Sequence, residues 1–274
     1  MNMKDETGES AVRKVAVVGL GLIGGSFEKA SKRAGYAVAA LHHGDRDGLA
    51  DADLVLVCLP PSAVVPWIRE HASSFRRGAW VVDIAGVKGM IMSEFAAAFP
   101  EGADGWTFVG GHPMAGREVS GYANSTADLF DGASMILVPV DGAAAPRALE
   151  RYFRSLGFAR VVATTAARHD EMIAFTSQLC HLISSAYVRE DLARDHVGFS
   201  AGSFRDMARV GAPDPEMWTE LFLSNRDALL PVLERYVARI ADFRDAVRDG
   251  DGDRLRRALE EGVVAKSKFG KGLK

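Results

Sequence analysis

The feature that most limits how this chain can fold is the stretch "KVAVVGLGLIGGSFEKASKRAG", residues 14–35. A short β-branched apolar run ends on Gly19, which predicts a buried strand. Residues 22–34 then read as a helix. Between the two lie Gly19, Gly21 and Gly24 in a G-x-G-x-x-G spacing. Gly19 allows a tight turn, Gly21 lets a pyrophosphate approach the backbone, and Gly24 lets helix and strand pack closely. The helix begins at Leu22 and Ile23. Its first N–H groups are unpaired and carry a partial positive charge, so they suit phosphates. A strand, this turn and a helix in immediate succession point to a dinucleotide site.

The rest of the first half repeats the alternation. "YAVAAL", "ADLVLVCLPP", "AWVVDIAG", "WTFVGGHP" and "ASMILVPV" read as strands, and 62–75 and 89–98 as helices. Strands alternating with helices predict an α/β fold with a parallel, doubly wound sheet. After Val140 the pattern changes. A helix at 144–156 and one more strand, "ARVVAT", precede a sequence that looks helical from Ala166 onward. The expected division is a Rossmann-type dinucleotide-binding domain over 1–142 and an all-helical substrate and dimerisation domain over 143–274.

From Met217 to Val247, Trp218, Phe222, Leu229, Val232, Tyr236, Ile240, Phe243 and Val247 form one apolar stripe at helical spacing. This predicts a single long helix, kinked at Pro231, which cannot donate to the carbonyl four residues back. A helix of that length exceeds what a small domain must cover, so a homodimer is expected.

Composition excludes several classes. A net charge of −3 over 274 residues gives no reason to expect a nucleic-acid partner. No apolar run reaches the roughly 18–20 residues that span a bilayer. The N-terminal "MNMKDETGESAVRK" has no apolar signal core, so a cytoplasmic protein with a frayed first ten residues is expected. "KSKFGKGLK" reads as a solvated, flexible basic tail. Cys58 and Cys180 lie in apolar segments and read as reduced, buried thiols. No metal is expected.

The adenosine end departs from the usual pattern. The acid that binds the adenosine ribose normally stands about 20 residues after the glycines. Here Leu41, His42 and His43 occupy that position, and Asp45 is the nearest carboxylate. His42, His43 and Arg46 either attract the extra phosphate of NADP or form a solvated turn. The cofactor is NAD or NADP, with a slight lean to NADP. His43 to Ala52 gives the crossover ten residues, room for one helical turn at most, so the adenine wall is expected to be thin.

Candidate chemistry lies downstream. In "FVGGHPMAGRE", His112 follows a strand end, where ligands bind in this type of sheet. A neutral imidazole there suits a base for the hydroxyl proton of a dehydrogenation. In "HDEMIAFTSQLCHLISSAYV", Ser177 and His181 share a helix face, either as core residues or lining a site. Further on, Arg205, Asp206, Arg209, Trp218 and Arg226 cluster among apolar residues. Arginine is the natural partner of a carboxylate, or else of Asp206 or Glu220 here.

Together "GLGLIGGS", "LPP", "DIAGVKG", "GGHPMAGRE", "HD", "SQLCH" and "FRDMAR…DPEMW…N" resemble the prephenate/arogenate dehydrogenase family over about residues 13–250. The resemblance implies a Rossmann domain, a helical dimerisation domain and an active site between them. It implies NAD(P)-dependent oxidative decarboxylation of prephenate to 4-hydroxyphenylpyruvate, or of arogenate to tyrosine. It assigns His112 as catalytic, His181 as a second site histidine and Glu118 as an acidic gating residue. It assigns Arg209 to a substrate carboxylate, with Asp206, Trp218 and Ser177 beside it. It places Leu59 and Pro60 of "LPP", with Asp83 and Lys88, along the cofactor. Gly86 stands where the family commonly has a serine, and Cys180 where a proline is usual. An amino analogue of prephenate as substrate, and a weakly catalytic binding protein, stay open. The 274 residues leave no room for a separate regulatory domain, so tyrosine control through one is not expected.

Overall fold

The computed structural model describes residues 11–42, 44–140, 142 and 144–269. The N-terminal residues expected to fray, His43 and the end of the basic tail therefore lie outside the described residues. The chain divides into two compact units, one up to Arg226 and one from Asp227.

The first unit is built on a seven-stranded sheet in the order β2-β1-β3-β4-β5-β6-β7. Its strands are β1 (Lys14–Val18), β2 (Ala37–Leu41), β3 (Leu54–Val57), β4 (Trp80–Asp83), β5 (Thr107–Pro113), β6 (Ser134–Pro139) and β7 (Arg160–Ala163). The helices among them are α1 (Leu22–Arg33), α2 (Pro61–His71), α3 (Gly89–Ala98) and α4 (Arg147–Ser155). Successive strand residues point to opposite faces. Val15 and Val17 enter one core with Phe27 of α1 and Leu149, Tyr152 and Phe153 of α4. Ala16 and Val18 enter the other, with Val64, Trp67 and Ile68 of α2 and Ile91 and Phe95 of α3. Both faces are covered, which is why these strands read as continuous apolar runs.

The sheet is not wholly parallel. β6 runs antiparallel to β5, with His112 opposite Ile136, and β7 is parallel to β6. Antiparallel neighbours can be joined without a crossover helix, and the β5–β6 connection contains only a short turn at Tyr122–Asn124. The sheet also runs past residue 142, to Ala163.

The β2–β3 crossover has only one short turn, Leu49–Asp51. Leu49 is fully buried in the α2–α3 core, so one side chain does the covering a longer helix would provide. Asp53 then accepts from the N–H groups of Arg13 and Lys14 at 2.9 and 3.0 Å, tying the crossover to the start of β1.

After the sheet come α5 (Ala166–Ile173), a π-helical turn at Ala174–Gln178, α6 (Leu179–Tyr187), α7 (Gly202–Ala208) and α8 (Pro215–Ser224). Cys180 is exposed, contrary to the reading from its apolar neighbours. The expected single helix from Met217 to Val247 is two helices. It breaks at Asn225, whose φ of −113° and ψ of 20° leave the helical region. The buried Asn225 amide donates to Asp170 O at 3.1 Å and to Gln178 Oε1 at 2.7 Å, which holds the break.

The second unit consists of α9, whose full span is Arg226–Asp249, and α10 (Gly252–Phe269). Pro231 lies inside α9, which continues through it. Gly250, at φ +65°, turns the chain, Asp251 caps Arg254 N at 2.9 Å, and Arg254 pairs back to Asp242 at 2.5 Å. Lys266 and Lys268 of the supposed tail form the last turn of α10.

Candidate active site

The glycine turn has the geometry its spacing implies. Gly19 has φ +86°, and a Cβ on it would meet Cys58 O at 2.4 Å. A Cβ on Gly24 would lie 1.9 Å from Gly19 O. Gly21 differs: nothing lies within 4 Å of where its Cβ would be. It is the N-cap of α1, makes no side-chain cap, and no acid follows in the first turn. The N–H groups of Leu22, Ile23 and Gly24 therefore face an open cradle, in keeping with a pyrophosphate. Leu59 packs against Gly19, with Cδ2 3.0 Å from its Cβ position, and Pro60 is the N-cap of α2.

These two glycines make contrasting predictions. Gly24→Ala is expected to cost about 3 kcal/mol or more through overpacking, lowering the thermal midpoint by ~6–12 °C. Gly21→Ala is expected to leave the midpoint within ~2 °C while weakening dinucleotide binding, measured by calorimetric titration.

At the adenosine end, His42 is exposed. Its N–H donates to Asp45 Oδ2 at 2.8 Å, so the turn folds a carboxylate back toward the tip of β2. Arg46 is paired with Glu70 at 3.2 Å. His43 lies outside the described residues.

Asp83 and Lys88 form an ion pair whose side chains have 0% exposure. Neither has surface to offer a ligand, so direct cofactor contact, as the resemblance implied, is not available to them. They brace the turn that carries Gly86. Gly110 and Gly111 let β5 pass over this pair: a Cβ would come within 2.9 Å of Lys88 Cδ at Gly110 and 2.6 Å of Asp83 O at Gly111.

His112 follows at once. Gly110 is registered against Asp83, the last residue of β4, so His112 projects beyond the carboxyl end of that strand. Its Nδ1 lies 2.9 Å from Nε2 of His169, whose Nδ1 lies 2.7 Å from Asp170 Oδ1. Asp170 also accepts from Lys88 N at 2.9 Å and Gly89 N at 2.7 Å. Burial, reinforced by His169 and Lys88, holds His112 well below the ordinary histidine range. It is neutral at pH 7. The Cβ position of Gly86 is 3.7 Å from His112 Nε2 and 3.2 Å from Leu221 Cδ2. The glycine lets Leu221 and the imidazole pack close on either side of this point.

A second group gathers nearby. Glu118, in the loop after β5, pairs with Arg209, the residue ending α7, at 2.6 Å. His181 stacks on Trp218 with ring centroids 3.7 Å apart. His181 Nδ1 donates to Ser177 O at 3.0 Å, which leaves Nε2 as an acceptor. Burial lowers the His181 pKa; Arg209 adds to this, and the bond to Ser177 and the charge of Glu118 oppose it. Helix α8 reaches both groups: Trp218 to His181, Leu221 beside Gly86, and Glu220 accepting from Ser62 N at 2.8 Å. Asp206 stands exposed on α7, and among the described residues it forms no ion pair with Arg209. Ser177 enters through its carbonyl rather than its hydroxyl.

His169, Asp170, Gln178 and Asn225 are buried polar residues of this region that the sequence reading did not assign. The available signal was their place in the quoted motifs "HD", "SQLCH" and the closing asparagine. Periodicity alone cannot say that such residues bond to one another.

Comparison with known proteins agrees with this geometry. Residues 11–162 match the family model described as prephenate dehydrogenase, nucleotide-binding domain, and residues 165–261 match prephenate dehydrogenase, dimerization domain. The cyclohexadienyl dehydrogenase of Zymomonas mobilis is 31% identical over 283 residues, spanning 93% of this chain and 95% of that protein. The prephenate dehydrogenase of Bacillus subtilis is 28% identical over 273 residues, spanning 89% and 72%. The crystal structure of Synechocystis arogenate dehydrogenase is 25% identical and covers 93% of this chain and 99% of its own, with a TM-score of 0.77. The chain belongs to the prephenate dehydrogenase family of oxidoreductases.

Proposed function

We propose that the chain catalyses the oxidative decarboxylation of prephenate or arogenate, with His112 as the base. What carries the reading is one observation: a neutral imidazole at the carboxyl edge of the sheet, with Nδ1 bonded to His169 and Nε2 turned to the Gly86 side, 3.7 Å from the Cβ position of that glycine. A bound nicotinamide dinucleotide supplies the hydride acceptor. The protein's own task is to position a cyclohexadienyl alcohol and remove one proton. His112 Nε2 takes the ring hydroxyl proton. Arg209 holds a substrate carboxylate, displacing Glu118, and the His181–Trp218 stack forms an aromatic wall. Loss of carbon dioxide then moves the electrons of the ring carboxylate bond onto the carbonyl oxygen as an aromatic phenolate, which takes back the proton held by the histidine to become the phenol.

Leu22, Ile23 and Gly24 would hold the pyrophosphate, and the tip of β2 the adenosine ribose. There the geometry favours NAD over NADP, against the slight lean drawn from His42, His43 and Arg46 in the sequence. Asp45 brings a carboxylate to the strand end, and Glu70 competes for Arg46. Ile240 and Val247 of α9 and Val263 and Val264 of α10 are about half or more exposed, a surface suited to a second copy of the chain. A homodimer is part of the proposal.

A second reading has one observation in its favour. Gly86 lies beside His112 with no side chain to bond a ring hydroxyl, and the amine of a 4-amino analogue of prephenate would meet His112 in the same way.

The test is to follow absorbance of the reduced nicotinamide with prephenate, arogenate and 4-amino-4-deoxyprephenate, each with NAD and NADP. Turnover of prephenate or arogenate, faster with NAD, is expected. Turnover of the amino substrate alone would replace the first reading with the second, and faster turnover with NADP would overturn the cofactor preference.

A further inference from the structure

We propose that His169 and Asp170 are positioning residues that fix which nitrogen of His112 is the base and then take over the charge of the proton it removes. This rests on the reading of His112 above. The direction of every hydrogen bond in the chain follows from its far end. The N–H groups of Lys88 and Gly89 can only donate, so both carboxylate oxygens of Asp170 accept. Gly89 leaves room for this, since a Cβ there would lie 2.7 Å from Asp170 Oδ2. His169 Nδ1, 2.7 Å from Oδ1, therefore carries the hydrogen. Neutral His169 is left with its lone pair on Nε2, where it accepts from His112 Nδ1–H at 2.9 Å. Neutral His112 is left with its lone pair on Nε2, the nitrogen 3.7 Å from the Cβ position of Gly86. Two backbone amides thus select the tautomer of an imidazole two side chains away.

The same chain disposes of the proton. The substrate O–H bond breaks and a bond to His112 Nε2 forms, the O–H electron pair staying on oxygen as the carbonyl forms and C4 gives up its hydride to the dinucleotide. The Nδ1 proton of His112 passes to His169 Nε2. The positive charge comes to rest on His169, against the Asp170 carboxylate, and His112 is neutral again. Two titratable groups act on His112 from the packed elements, Lys88 from the turn after β4 and His169 from α5, with Asp170 behind His169. Lys88 disfavours a cation on His112, whereas Asp170 favours one on His169.

The direct test needs neither substrate nor cofactor. In the full chain carrying ¹⁵N-labelled histidine, with His112→Gln to assign the signal, His112 should show a hydrogen on Nδ1 and none on Nε2 at neutral pH. A hydrogen on Nε2 would overturn the proposal, whatever the enzyme turns over. The kinetic test is His169→Asn. It should lower kcat/KM by ~100-fold and move the acid limb of its pH profile to higher pH, because His169 is one of the groups that hold the His112 pKa down. A merely structural role would lower the thermal midpoint and leave that limb in place; an unchanged rate and limb would also overturn the proposal. If the wild-type chain turns over none of the cyclohexadienyl substrates, the reading of the function fails, and the tautomer measurement still decides the hydrogen-bond chain.

Discussion

His112→Asn should lower kcat by about 10³-fold, inside the ~10²–10⁴ range for loss of a general base, while changing the KM for substrate less than ~3-fold. The asparagine keeps a polar group beside the substrate hydroxyl but cannot accept its proton. The pH profile gives a second reading of the same residue. A base must be unprotonated to act, so activity is lost as pH falls through the folded pKa. Burial, His169 and Lys88 depress that value. The wild-type kcat/KM is therefore expected to stay level through neutral pH and to fall only below the ordinary histidine range. In His112→Asn that acid limb should vanish. Steady-state kinetics across pH would show both, and a loss in kcat under ~10-fold would mean that the proton leaves by another route.

Arg209→Ala should act on the other parameter. Truncating one partner of a charged hydrogen bond to a bound ligand costs about 2–5 kcal/mol, so KM should rise by ~30-fold or more, with a smaller change in kcat. In the free protein Arg209 is held by Glu118 at 2.6 Å, but both side chains are more than half exposed. Such a pair is worth only about 0–1 kcal/mol. A substrate carboxylate can displace Glu118 at little cost, and the Arg209→Ala protein should keep its thermal midpoint. An unchanged KM would mean that the carboxylate is gripped elsewhere. A large fall in midpoint would mean that Arg209 is structural.

The elements legible in the sequence were those governed by local rules. The turn from Val18 through Gly24 was readable because Gly19 and Gly24 answer steric demands of the fold, and Gly24 against Gly19 O is the sharper of them. The short β2–β3 crossover was readable from its residue count, although Leu49 as its plug was not. What escaped depended on partners distant in sequence. The antiparallel direction of β6 is set by its pairing with β5, which its own apolar pattern does not encode. The break at Asn225 depends on Asp170 and Gln178, some fifty residues earlier, whereas Pro231 offered a local signal that the helix tolerates.

The site divided in the same way. His112 was singled out because a strand end and two glycines announce it. Arg209 and Glu118 were named separately, and folding brings them into one ion pair. Asp83 and Lys88 were noticed for the right turn but given the wrong reach, since burial on all sides is a property of the packed sheet. Asp206 was close in sequence to Arg209 but is not its partner. His169 and Asp170 acquire their meaning only from Lys88, Gly89 and His112, all at least 50 residues earlier.

The central claim is that this chain couples hydride removal to decarboxylation on a cyclohexadienyl alcohol. Its most direct measurement is the ratio of carbon dioxide released to nicotinamide reduced, using prephenate or arogenate labelled at the ring carboxylate. A ratio of one to one, abolished together with absorbance in His112→Asn, is expected. Reduction without carbon dioxide release, or no reduction with either substrate and either cofactor, would contradict it.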